Sequence, residues 1–157
     1  MTLGLSLPAF TLLHTIVSLI ELVAGLAVGV ELWNGRRTGY WTRLFFLSAL
    51  LTAATGFLFP VSEFKPSHAV GILSLLLLAL AWVAASRAGG GWRRTYVVAV
   101  WIVFYLDAFV GVIQAFLKIP ALRALAPHGN EPPFQLAHAL LFAAFVVSGF
   151  LLVRRTR

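Results

Sequence analysis

Cysteine is absent from the 157-residue chain. That removes disulfides, thiolate metal sites, iron–sulfur clusters, thiol nucleophiles and haem attachment through C-x-x-C-H together. Methionine occurs once, at Met1, so a metal would have to be held by histidine or carboxylate. Charge is scarce as well: 11% of the residues carry one, against roughly 25% in soluble domains. So little charge cannot clothe a globular surface, and no soluble catalytic domain is expected. There is no G-x-S-x-G, no Gly-rich phosphate loop and no H-E-x-x-H. Ser67 and His68 are neighbours that point apart on a helix, so they are not a catalytic pair. The formal charge of +7 would mark a nucleic-acid surface on a soluble domain, but here the basic residues sit between apolar runs, and no nucleic-acid partner is expected.

What the chain has is apolar length. Hydrophobic residues make up 61% of it, and its mean hydropathy is +0.94. Five runs stand out: Leu7–Trp33, 41–59, 67–86, 95–117 and 134–153. At 1.5 Å per residue each can cross a hydrocarbon core of ~30 Å, the second and third near the lower limit. Pro60, Pro66, Pro120, Pro127, Pro132 and Pro133 all fall between runs, where helices are punctuated. The pattern predicts an all-α integral membrane helical bundle of five transmembrane helices, a single domain over 1–157. Leu7–Trp33 is expected to stay in the mature protein, because it lacks a basic leader, exceeds a signal-peptide core in length and contains Glu21.

Orientation follows from Lys and Arg. Arg36, Arg37, Arg43, Arg87, Arg93, Arg94, Arg154, Arg155 and Arg157 lie on one side of the predicted topology, and only Lys65, Lys118 and Arg123 on the other. The positive-inside rule then puts the N-terminus outside and the C-terminus in the cytoplasm of a bacterial inner (plasma) membrane, with the lipid bilayer as the first partner. Trp33, Tyr40, Trp41, Trp82, Trp92 and Tyr96 gather at the same basic ends, as an interfacial aromatic belt does.

Ionisable groups at membrane depth are costly and therefore mark function. In the first run His14, Ser18, Glu21 and Gly25 share a face at i, i+4, i+7 and i+11, and in the fourth Asp107, Gly111 and Gln114 do the same. Counting residues puts Glu21 and Asp107 at mid-depth with no intramembrane Lys or Arg to pair with. Two carboxyls at one depth favour at least one bound proton, so Glu21 and Asp107 are read as a proton relay or cation site. Gln114 and His14 lie about 10 Å further out, and a polar track is expected to join the two levels. The competing reading makes both acids hydrogen-bonded structural groups, or contacts to a membrane partner subunit or a second copy in a homo-oligomer.

The predicted topology brings His14, His68 and His138 to the extracytoplasmic side, with His128, Glu63 and Glu131 nearby. Neutral imidazoles on separate helices can ligate haem b or copper, and with Gln114 can hydrogen-bond a quinone headgroup. An electron-transfer site of His14, His68, His138 and Gln114 is thus one expectation, with Glu63 or Glu131 completing a metal shell. The others are a proton-coupled transporter of a small solute or cation using Glu21 and Asp107, and a non-catalytic accessory subunit of a membrane complex. The plainer reading of the histidines is interfacial, with Ser67 an N-cap and His68 in the first helical turn.

Two connectors carry signals of their own. Gly89 to Gly91, ahead of Trp92-Arg93-Arg94, reads as a flexible link beside a basic anchor for anionic lipid. In KIPALRALAPHGNEPPF, Ile119, Leu122 and Leu125 predict a short interfacial helix. FLFPVSEFKPSHAVGILSL, VGVIQAFLKIPALRALAP and EPPF resemble segments of a group of small uncharacterised bacterial multi-pass inner-membrane proteins. The likeness covers most of the chain and brings no activity or cofactor with it. That group tends toward Asn at the position of Asp107 and Gln at that of His138, whereas His14, His68 and Gln114 match its pattern.

Overall fold

The structure, a computed structural model, describes residue 2, residues 4–60 and residues 65–156. The described residues form six helices: α1 (Leu7–Trp33), α2 (Tyr40–Gly56), α3 (Pro66–Ser86), α4 (Gly90–Lys118), α5 (Pro120–Leu125) and α6 (Pro132–Arg155). Four of them, α1, α3, α4 and α6, are long and apolar enough to cross a membrane. Leu26, Leu76, Leu140 and Phe150 stand exposed on their surfaces, an arrangement suited to lipid and not to water.

The helix ends have local causes. Ser6 caps α1 by accepting the Ala9 N–H at 3.4 Å, and Pro8 occupies the first turn, where a missing donor costs nothing. α2 stops at Gly56, short of the expected 59, because Phe59 precedes Pro60 and is steered out of the helical region. The N-cap of α3 is Lys65 rather than Ser67, since Pro66 fits the first helical position; the Lys65 N–H donates to His68 Nδ1 at 3.0 Å. α4 begins at Gly90, so of the expected flexible link Gly89 to Gly91 only Gly89 stays outside the helix, and the connector between α3 and α4 is residues 87–89. Gly89, at φ 110°, makes the turn that lets the helix start early. At 29 residues α4 spans about 43 Å, which carries Arg93 and Arg94 beyond an apolar core. The predicted interfacial helix is present as α5.

Neighbouring helices run antiparallel. α1 lies along α2, α2 on α3, α3 on α4, and α4 on α6, while α4 also touches α1 and α5. The basic residues of the described chain, apart from Lys65, Lys118 and Arg123, collect at one end. The core joins Ala24 and Val28 of α1, Phe45 and Ala49 of α2, Leu78 and Ala81 of α3, and Val100, Val103 and Phe104 of α4. Small residues set the spacing: Phe104 lies directly on Gly25, where a Cβ would overlap the ring. Trp101 covers Gly29 and Gly149, linking α4 to α1 and α6, and its indole N–H donates to the Phe145 carbonyl at 3.0 Å. α6 is the least covered long helix, with Leu152 its sole buried residue.

Candidate functional site

The α1–α4 contact fixes the register of the two mid-depth acids. Leu22 meets Gly111 and Gly25 meets Phe104, so Asp107 falls between the two contacts on α4 while Glu21 directly precedes the Leu22 contact on the facing α1. Glu21 is wholly buried. The side chains interacting with its carboxyl are Asp107 from α4 and Thr52 from α2. Neither Glu21 oxygen, nor Thr52 Oγ1, has a partner in good hydrogen-bonding geometry. The three groups face one another without locking together. Ser48 and Thr55, a turn away from Thr52 on either side, bond back to their own helix instead, to Leu44 and Leu51 carbonyls at 2.7 and 2.6 Å. Thr52 is thus the hydroxyl left over on that face.

Ser18 also turns back, donating to the His14 carbonyl at 2.9 Å, and so does not extend the polar stripe of α1 outward from Glu21. Gln114 is exposed on α4. An expected polar track from the midplane through Gln114 would thus reach the bundle surface at that residue.

Each histidine has its own local engagement. His14 Nδ1 is 2.8 Å from Thr55 Oγ1. With the threonine proton given to Leu51, Nδ1–H is the donor, and the ring edge packs on Phe59. His68 Nδ1 accepts the Lys65 N–H and the ring stacks on Phe57 at 5.7 Å, so the neutral ring carries its proton on Nε2 and has no lone pair to offer a metal without giving up the cap. His138 donates from Nδ1 to the Phe134 carbonyl at 3.0 Å and sits between Phe109 and Phe134; its buried Nε2 has no partner. Glu131, expected as a metal-shell carboxylate, accepts the His128 N–H at 2.9 Å and the Asn130 N–H at 3.0 Å. Desolvation pushes its carboxyl up, but the backbone donors together outweigh that and hold it below the ordinary carboxylate range. His128 is exposed. Glu63 lies outside the described residues. Among the described residues no three His, Asp or Glu side chains converge to hold a metal ion.

A second polar constellation, at the basic end, escapes sequence reasoning. Glu31, in the last turn of α1, is buried and accepts the Thr42 backbone N–H at 3.1 Å and the Thr42 hydroxyl at 2.5 Å. Gly39, the N-cap of α2, lies so close that a Cβ there would overlap the Glu31 carboxyl. Tyr96 of α4 closes the group by donating to the Arg37 carbonyl at 2.7 Å. The signal was an acid at the C-terminal end of a helix, where its own dipole disfavours it; a neighbouring N-terminus is the natural partner.

Fold and site define an all-α helical bundle with apolar, membrane-length helices and, between two of them, a carboxyl pair of which Glu21 is buried and Asp107 half-buried. Comparison of the chain with protein families, with curated proteins and with solved structures finds no match.

Proposed function

We propose that this protein binds and releases a proton or a small cation at the Glu21–Asp107 pair, as the coupling site of a membrane transporter for a small solute or ion. The observation that carries the reading is Glu21 itself: wholly buried, with neither oxygen in good hydrogen-bonding geometry, and facing a second carboxyl and the hydroxyl of Thr52. A structural acid at this depth would be saturated by fixed donors, because an unsatisfied polar group in hydrocarbon costs several kcal/mol, of order 2–7. A site that must exchange its ligand keeps its donors uncommitted. Asp107 and Glu21 supply the charge, Thr52 a neutral oxygen, and no Lys or Arg competes.

The same reading includes five spans, with the N-terminus outside and the C-terminus in the cytoplasm of a bacterial inner membrane. In its favour, α2 and its following turn run beside α1 from Phe59 against Phe10, at 4.9 Å between ring centroids, to Thr42 at Glu31. The 21 helical steps from Phe10 to Glu31 rise about 32 Å, the depth of a bilayer core. The electron-transfer alternative has less behind it, since His68 is tied into its helix cap.

Infrared difference spectroscopy of the reconstituted protein across a pH step reads protonated carboxyl groups directly. The reading expects a buried-carboxyl band that Glu21→Gln and Asp107→Asn each diminish, and proton flux into proteoliposomes that either variant stops. A spectrum in which both variants match the wild type removes the pair from any proton role.

A further inference from the structure

α4 and α6 enclose between them an apolar groove of about 330 Å³ that opens on the bundle surface. Its walls include Trp101 and Tyr105 from α4 and Phe142, Phe145 and Phe150 from α6, and Trp101 is pinned in place by its bond to the Phe145 carbonyl. From Phe142 to Val153 the groove follows α6 for about 16 Å, half of a ~30 Å core and so the depth of one leaflet. It begins at the basic end of the bundle. There Arg154 holds its guanidinium 5.1 Å from the centroid of Phe150, itself a groove wall. Arg94 precedes Val98, another wall residue, by one helical turn and is exposed. The two cations thus stand at the basic ends of the two helices that wall the groove, and no carboxylate of the described chain is bonded to either.

We propose that this groove is a binding site for one acyl chain of an anionic phospholipid whose headgroup phosphate is held by Arg94 and Arg154. An apolar slot one leaflet deep, lined by aromatic rings and ending at two cations, matches a molecule with a long alkyl chain and a phosphate at one end. A zwitterionic lipid would fill the slot but bring a compensating positive charge to the arginines. A second copy of this chain would bring its own basic end to the same level, setting like charges together. The site is separate from Glu21 and Asp107, and its lipid would brace the one long helix that the bundle leaves mostly uncovered.

The test uses Trp101 as a reporter. The protein is reconstituted in vesicles doped with bromine-labelled phosphatidylglycerol or bromine-labelled phosphatidylcholine, and the Trp101 share of the fluorescence is taken from the difference between wild type and Trp101→Phe. Quenching by the anionic lipid should begin at about tenfold lower mole fraction than by the zwitterionic one, and Arg94→Gln with Arg154→Gln should erase that preference. Native mass spectrometry of lipid adducts on wild type and the double variant does not depend on Trp101 and should show the same loss. Equal quenching by both lipids, or a preference that survives in the double variant, overturns the proposal. A Trp101 that neither lipid quenches also overturns it, since the groove is then occupied by protein.

Discussion

Glu31 of α1 caps the first turn of α2 by accepting both the backbone N–H and the hydroxyl of Thr42. The bond pairs an acid that its own helix disfavours with the positive end of the next one, so one carboxylate relieves two local problems. Glu31→Ala leaves the Thr42 N–H and hydroxyl unpaired at a buried position and should destabilise the protein by about 1–3 kcal/mol. Thr42→Ala alone should cost less, and in the Glu31→Ala background almost nothing more. Unfolding titrations of the two single variants and the double variant in detergent measure that coupling; full additivity would refute the cap.

Close approach of α1 and α4 depends on Gly25 under Phe104. Gly25→Ala forces the ring or the helix to move and should cost about 1–3 kcal/mol by overpacking. Phe104→Ala leaves a void of its own, but in that background the added methyl has room. Gly25→Ala should then become nearly neutral. Thermal unfolding followed by helical circular dichroism decides it: an unchanged penalty in the Phe104→Ala background means the clash lies elsewhere.

Glu131 supplies a pH-dependent tie in the last loop. Its carboxyl is held below the ordinary carboxylate range by the His128 and Asn130 amides, so the folded loop binds the proton less well than the unfolded one. Its contribution is therefore complete above the ordinary carboxylate value and disappears as pH falls below it through the lowered folded value. Amide exchange at His128 and Asn130 should be slow, relative to intrinsic rates, near about pH 7 and lose its protection toward about pH 3, and Glu131→Gln should show weaker protection with no such step. Protection independent of pH in the wild type would contradict the assignment.

Segmentation is legible in the chain because prolines and apolar runs act locally. The long runs, the short α5 and the basic end all follow from residues within a few positions of each other. Register between helices is not local. Gln114 shares a stripe with Asp107 and Gly111, yet the contact of Gly111 with Leu22 leaves Asp107 facing Glu21 and Gln114 exposed. His14, His68 and His138 are one-sided by topology, but each is spoken for by a neighbour that sequence spacing cannot rank: Thr55 across a helix pair, Lys65 within a cap, Phe134 one turn back. Glu31 has meaning only with the N-terminus of α2 in place. The carboxyl pair is the part of the site that counting alone could bring together, because antiparallel helices of similar length match their midpoints.

Glu21 separates a functional acid from a structural one. Were it structural, removing it would expose the Asp107 and Thr52 groups to an apolar substitute and weaken the fold. If it is held for exchange, its solvation is incomplete in the resting protein, with neither oxygen in good hydrogen-bonding geometry. Glu21→Gln keeps the shape while removing the exchangeable carboxyl, and Glu21→Met fills the volume with apolar atoms. Replacing buried charged groups by packed apolar ones is often neutral or stabilising by about 1–4 kcal/mol. Glu21→Met should accordingly unfold at equal or higher denaturant than wild type while losing the pH-dependent carboxyl band and the proton flux together, the usual exchange of activity for stability at a working site. A Glu21→Met protein that is both less stable and still active would make Glu21 a packing residue and move the search for the coupling group elsewhere on α1.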